Sequence, residues 1–507
     1  MPRILSPGRN VWCERPVQSA GLLIDGSDYY RAFYDAALRA RRYILLSGWQ
    51  FDSDACLLRG EEAEGAPGPV TLLKFLDSLC ERTPELQIYI LAWDFHVVFA
   101  IEREWLQKIV FEWTTNERLR FRFDSSHVDK GCHHQKFAVI DGELSFLGGL
   151  DLCNDRWDTR RHLEKNPLRL SRGEPHKPFH DVQAYLQGRE VSGSLAELFT
   201  ARWSAACGEP IELPEPGGAT FGDDYAPESA VRLASRRVAL SRTDPRGAPT
   251  GVEGCREVCE LYVDAIALAE RSIYIETQYF SSREVSEALI RRLQRGGGAP
   301  LQVVIVLNMR AETLKEEVAV GLAQAKVIDD LRRAAEGSGH ALGIYYTVPA
   351  HEGEGEPPRA TYIHSKVMIV DDRFLNVGSA NLTNRSCAID TELNASFETE
   401  DPGDGLGRSI CAARLGLMAE HLGVDDLRCG GDLVAELDDR AGRRDGRLRI
   451  HPSPDEKQRA VLAVVDPQAL PFDPNAIEDD EEDDRSIFTH GLGALWRRLV
   501  SDRDDRK

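Results

Sequence analysis

The segment HHQKFAVIDG, residues 133–142, sets His134, Lys136 and Asp141 into what otherwise reads as a buried strand. Phe137, Ala138, Val139 and Ile140 form a short apolar run closed by the turn signal Asp141-Gly142, the pattern of a strand that ends at a turn. Side chains at i and i+2 of an extended chain share a face, so His134 and Lys136 point the same way. Taken alone, the segment also fits a strand that keeps one face in water. The choice is made at an offset of 230 residues, where IHSKVMIVDDRFLNVGSAN (363–381) places His364, Lys366 and Asp371 at the same internal spacing around Val367, Met368, Ile369 and Val370. Each copy is followed by a pair of small residues, Gly148-Gly149 and Gly378-Ser379. Repetition of so long a pattern by chance is improbable, and the pair is read as functional.

The repetition extends beyond the motif. AALRARRYILLSGWQ (36–50) and AIALAERSIYIETQY (265–279) each read as a helix end running into a strand, and QIYILAWDF (87–95) and LQVVIVLNM (301–309) as the strand after it. The chain therefore reads as two homologous halves of α/β type. The expected organisation is a first half over 20–207, a linker over 208–235, a second half over 236–425 and a C-terminal extension over 426–507. Turn-rich stretches at 61–69, 208–229 and 351–359 read as linkers.

Composition fits this frame and narrows the function. A chain of 507 residues that is 42% hydrophobic and 29% charged is ordinary for globular domains with substantial cores. No apolar run approaches the length of a membrane span, and the first residues lack the apolar core of a secretory signal. Eleven cysteines without CxxC pairs suit a reducing cytoplasm; Cys132, Cys153 and Cys387, near the motifs, read as small buried residues. A net charge of −21 argues against nucleic acid as a partner, which is normally met by a basic stripe. In the extension, seven consecutive acids (478–484) precede SIFTHGLGALWRRLVSDR (486–503), whose Ile487, Phe488, Leu492, Leu495, Trp496 and Leu499 form an apolar face edged by Arg497 and Arg498. Such a helix either lies on a membrane surface or docks on its own protein.

One imidazole that attacks, one that donates a proton and lysines that neutralise non-bridging oxygens suffice to cleave a phosphodiester in two steps. The scheme calls for no metal or cofactor, and no metal-ligand spacing is visible. Since each half supplies one His and one Lys, the site must lie where the halves meet.

At this point the doubled HxKx4D motif resembles the signature of the phospholipase D superfamily. GGLDLCNDRWD (148–158), PFHDVQ (178–183), IYIETQYF (273–280) and GSANLTNRSCAIDTELNA (378–395) are similar to the phospholipid-hydrolysing branch. They are less similar to the cardiolipin synthases, which carry Asn two residues beyond the small pair in both copies; here Asp151 occupies the first position and Asn381 the second. The resemblance implies an α/β/α sandwich in each half, related by a pseudo-two-fold axis with one site at their interface. It also implies phospholipase D activity, hydrolysing or transferring glycerophospholipid headgroups through a phosphohistidine at a membrane surface. A nuclease or a cardiolipin synthase-like transferase is the alternative, and an inactive scaffold a third reading. By resemblance His134 is the nucleophile and His364 the acid, an order that could be reversed. Lys136, Lys366 and Asn381 contact phosphate, and Asp181 and Glu392 hold the imidazoles. Asp141 and Asp371 belong to the signature set but, at the turns after their strands, read as structural partners. Trp49 and Gln278, at the ends of equivalent strands, are candidates for lining the pocket. His133 reads as a bystander, and His162, His176 and His180 as loop content.

Overall fold

The computed structural model describes residues 2–94, 116–128, 131–214, 220–246, 254–296, 298–310, 320–349, 359–425, 427, 432–443 and 446–462. The acidic run, the helix expected after it and nearly all of the 351–359 segment lie outside these residues.

The two motif runs form the strands Phe137–Ile140 and Val367–Val370, every residue of them buried. Burial on both faces explains why neither run alternates. Phe137 and Val139 point into one core, and Ala138 and Ile140 into another. In the second copy Val367 and Ile369 join the same core as Phe137, while Met368 and Val370 face the opposite side. Each motif strand is thus the middle of a layered half, and the inner faces of the two sheets share one core.

The sheets repeat each other strand for strand. The first runs Val231–Leu233, Ser19–Ile24, Val182–Gln187, Leu144–Gly148, Phe137–Ile140, Tyr43–Gly48, Gln87–Trp93, Leu119–Asp124. The second runs Cys13–Pro16, Arg237–Asp244, Glu392–Glu398, Phe374–Gly378, Val367–Val370, Ser272–Glu276, Gln302–Val306, Ala341–Thr347, Leu448–Ile450. Seven central strands correspond, with a parallel wing of three and an antiparallel wing of four in each half. The helices Arg189–Cys207 and Gly405–Leu422 contribute Leu195, Phe199 and Trp203, and Ile410, Leu417 and Met418, to the shared core. Burying each such side chain stabilises the fold by about 1.5–3 kcal/mol.

The edges show an exchange that sequence patterning did not reveal. Cys13–Pro16, just ahead of the first sheet's Ser19–Ile24, pairs with Arg237–Asp244 of the second sheet. Val231–Leu233, in the stretch read as a linker, pairs with Ser19–Ile24 of the first. The C-terminal extension likewise supplies an edge strand, Leu448–Ile450, beside Ala341–Thr347. Among the described residues no helix is long and apolar enough to cross a membrane.

Candidate active site

Each motif histidine lies just ahead of its strand and is fixed by the opposite half. The His134 N–H donates to the Thr391 carbonyl at 3.0 Å, and the His364 N–H to the His180 carbonyl at 2.8 Å. The side chains repeat this reciprocity. Nδ1 of His134 contacts both carboxylate oxygens of Glu392, at 3.1 and 2.9 Å, and Nδ1 of His364 lies 2.6 Å from Asp181 Oδ2. Each carboxylate begins or adjoins a strand of one sheet and grips the ring of the other half, so neither half alone holds its own imidazole. With Nδ1 engaged, Nε2 is the nitrogen left to face a ligand. The rings are close enough that a charge on His134 acts on His364.

The lysines share the histidines' face. Lys136 Nζ donates to the His134 carbonyl at 3.2 Å and pairs with Asp151 at 3.3 Å. Lys366 Nζ bonds the His364 carbonyl and lies 3.3 Å from Gln278 Oε1. The position equivalent to Asp151 is Asn381, whose buried Oδ1 has no hydrogen-bond partner among the described residues. The two cations therefore differ: Lys136 has a carboxylate beside it, whereas Lys366 meets neutral amide chemistry. Burial, with help from the Lys136 charge, brings the Lys366 ammonium down to about 7 against the pull of Asp181.

The imidazole clamps differ too. Burial raises the Asp181 carboxyl to about 7 although Lys366 opposes it. Glu392 is held below the usual carboxylate range: burial works the other way, but His134 and the Ser379 hydroxyl, which donates to Oε2 at 2.5 Å, overcome it. The residue matching Ser379 is Gly149, where a Cβ would fall 2.3 Å from Asp181 Oδ1. Burial also drives His364 well below its ordinary value, reinforced by Lys366, Arg156 and Lys136.

Other residues fall where the sequence did not put them. Asp141 and Asp371, members of the signature set, sit at the far ends of the motif strands with φ of 52° and 54°. The Asp141 carboxylate accepts from the backbone N–H groups of Arg41, Arg42 and Tyr43 at 2.8–3.0 Å. That of Asp371 accepts from Glu270, Arg271 and Ser272 at 2.7–2.8 Å. They tie each motif turn to the start of the neighbouring strand, away from the histidines and lysines. Gln278 donates to the Tyr362 hydroxyl at 2.7 Å as well as meeting Lys366. Trp49 reaches the first half's lysine indirectly, its backbone N–H donating to Asp151 Oδ1 at 2.8 Å and its ring 5.6 Å from that of Trp93. His133 is fully buried, between Asp124 at 3.1 Å and Thr391. His176 bonds the Lys177 carbonyl. His162 and His180, read as loop content, are instead fully buried among carboxylates. Sequence reasoning also missed Arg156, Phe179 and Tyr362. The rings of Phe179 and Tyr362 lie 5.3 and 6.2 Å from His364, and Arg156 packs on Phe179 at 5.2 Å. The NDRWD and PFHDVQ stretches carried this signal, but nothing in them said that they meet the second motif.

A family model described as "Cardiolipin synthase, PLD-like domain" matches residues 262–402. Phospholipase D alpha 1 of Zea mays is 24% identical, covering 79% of this chain and 65% of its own length. Phospholipase D alpha 1 of Arabidopsis thaliana is 24% identical over 78% of this chain and 63% of its own. The chain thus spans just under two thirds of these relatives. Among solved structures, a phosphatidylserine synthase from Haemophilus influenzae Rd KW20 aligns at 16% identity and a TM-score of 0.48, covering 79% of this chain and 86% of that one. The doubled motif, the repeated α/β halves and these relatives agree in their likeness to the phospholipase D superfamily.

Proposed function

We propose that this chain is a phosphodiesterase of the phospholipase D type that acts on glycerophospholipids at a membrane surface. The observation that carries the proposal is the reciprocal clamp, in which Glu392 and Asp181 turn two imidazoles from different halves toward one place. Nε2 of His134 attacks phosphorus while Glu392 holds its Nδ1–H and stabilises the imidazolium that forms. His364 donates its Nε2 proton to the departing alcohol oxygen as the P–O bond breaks. Lys136, Lys366 and Asn381 meet the non-bridging oxygens, whose charge persists through the transition state.

The neutral bias of His364 is compatible with its role as an acid. The cationic neighbours that help depress it, Lys366, Arg156 and Lys136, are offset once an anionic phosphodiester lies among them. In the second step water or an alcohol gives its proton to the now neutral His364, its oxygen attacks phosphorus, and the His134–phosphorus bond breaks. Water yields phosphatidic acid, and an alcohol yields a phosphatidyl-alcohol. The family model's description favours a second reading in which the accepting hydroxyl belongs to another lipid, with the same intermediate.

The test is incubation with phosphatidylcholine or phosphatidylethanolamine vesicles in the presence of ethanol. Phosphatidylethanol should appear beside phosphatidic acid in a ratio that rises with ethanol, with headgroup release little changed. Headgroup release without phosphatidylethanol would remove the covalent step. Intact lipid beside cleaved single-stranded DNA would replace the function by that of a nuclease.

A further inference from the structure

We propose that Asp25, His162, His180 and Glu420 form a structural metal centre for one zinc-class divalent cation, separate from the phosphodiester site and taking no part in bond-making there. All four side chains are at most 2% exposed. Asp25, His162 and His180 come from the first half and Glu420 from the helix Gly405–Leu422 of the second. His180 Nδ1 lies 2.7 Å from Glu420 Oε1 and 3.0 Å from Asp25 Oδ1, and His162 Nε2 lies 3.1 Å from Glu420 Oε1 and 3.4 Å from Asp25 Oδ2. A tetrahedral zinc site with bonds of about 2.0–2.1 Å has ligand–ligand edges of about 3.3 Å, so the spacing needs only small adjustment.

Two further observations point to a ligand. Among the described residues His180 Nδ1 and Asp25 Oδ2 are buried and make no hydrogen bond, although carboxylate or imidazole atoms lie within 3.4 Å of both. His162 Nε2 has hydrogen-bond geometry toward Glu420 Oε1, but around the other two atoms the neighbours converge without the directions that shared protons would require. The second is the fixing of each ring from behind. His162 Nδ1 pairs with Asp158 Oδ2 at 3.0 Å, and His180 Nε2 with Glu276 Oε2 at 3.0 Å. Carboxylates that accept from the outer nitrogen leave the inner nitrogen as a lone pair, the arrangement that orients metal-bound histidines. Two carboxylates in the cage balance a divalent charge, and mixed imidazole and carboxylate donors in fourfold array suit zinc.

The centre would join the halves behind His364. The Asp25 N–H donates to the Asp181 carbonyl at 2.8 Å and the Asp181 N–H to Asp25 Oδ1 at 3.2 Å, while His180 accepts from the His364 N–H. A metal here positions the carboxylate that holds His364 without touching substrate.

The alternative occupant is a pair of protons that make both histidines imidazolium, and metal analysis separates the two. Tag-free full-length chain from zinc-supplemented medium should retain about one zinc per chain after desalting. Chain grown with cobalt should show the visible d–d bands of a tetrahedral centre. His162→Gln should lose the metal and His162→Cys, which keeps a zinc ligand, should retain it. Should the variants not fold, the wild-type stoichiometry and the cobalt spectrum still decide. Wild-type chain with less than about a tenth of an equivalent of zinc, and no rise in melting temperature on adding Zn2+, would overturn the proposal in favour of the proton-filled cage.

Discussion

The two halves place the same groups around the site but tune them in opposite directions. His134, with 16% of its side chain exposed, is held by Glu392, which stays ionised through His134 and Ser379. His364, with 9% exposed, is held by Asp181, which burial raises, and is itself biased to the neutral form. Lys136 has Asp151 beside it, whereas Lys366 has Gln278. The lesson is that the repeat supplies a common geometry, while single differences at Asp151/Asn381, Gly149/Ser379 and Trp49/Gln278 set the two sides apart, as the proposed division of roles requires. A group that must become and remain imidazolium benefits from an ionised partner. A group that must exchange its proton twice per turnover benefits from one easily shifted by the substrate's charge.

The largest effect should come from removing either ring. His134→Asn and His364→Asn should each lower turnover by more than about 10⁴-fold. The two should fail differently. With a phosphodiester whose leaving group needs no proton, His134→Asn should form no phosphoenzyme, whereas His364→Asn should accumulate one, read by trapping and mass spectrometry. Trapped phosphate on His364 in the wild type would reverse the assignment of roles while leaving the chemistry intact.

A smaller effect should follow from exchanging the residues behind the clamps. Gly149→Ala puts a methyl where Asp181 Oδ1 already lies, 2.3 Å away. The carboxylate must move, and a misplaced second carboxylate should cost about 10²-fold in kcat. Ser379→Gly only removes a hydroxyl donor to Glu392, a loss of about 1 kcal/mol or a few-fold in rate. Equal losses would mean that the clamps are not tuned differently.

How much of this was legible depends on whether the signal was local. Motif spacing located His134, Lys136, His364 and Lys366, because a repeat survives in one dimension. The two α/β halves followed from the same repetition, whereas their common strand order emerges only from the pairing of the strands. The edge exchange was hidden, since three residues such as Val231–Leu233 have no periodicity to read. The His162, His180 and Glu420 cluster was hidden for another reason. Its members lie 18 and 240 residues apart in the chain, and no spacing rule connects ligands that only tertiary packing brings together. Asp141 and Asp371 show a third limit. Their place in the motif marked them, but only the backbone amides they accept from reveal what they do.

Lysine chemistry should appear in the pH profile as roughly tenfold per unit at most. Lys366, brought to about 7 by burial, carries its charge below that pH and loses it above. The free enzyme's grip on phosphate should therefore weaken as pH rises, with kcat/KM falling above about pH 7. Stability should move the opposite way. Between about 7 and the unfolded value of 10.5 the unfolded chain binds more protons, so raising the pH through that window favours the folded state. Lys366→Met should accordingly lose activity yet melt at a higher temperature at pH 6, where the wild type buries a cation. A kcat/KM that stays flat to pH 9 would show that the carboxylates facing this amine, Asp181 and Glu392, hold it charged against burial and the neighbouring cations Lys136 and Arg156.

The smallest effect tests whether one atom pair separates the two lysines. Asp151→Asn makes the first half resemble the second: the amide oxygen can still accept from the Trp49 N–H, as Asp151 Oδ1 does at 2.8 Å, but the carboxylate 3.3 Å from Lys136 is gone. Strand pairing does not depend on that charge, but the pair is buried, so leaving Lys136 without its carboxylate should lower the melting temperature. At pH 6, removing a negative group from a site that receives an anion should lower KM by about a few-fold, because the Asp151 carboxylate opposes the substrate's charge beside the ammonium that attracts it. An unchanged or raised KM would mean that the Asp151 charge does not weigh on the bound phosphate, and that the difference between the halves lies in the histidine clamps alone.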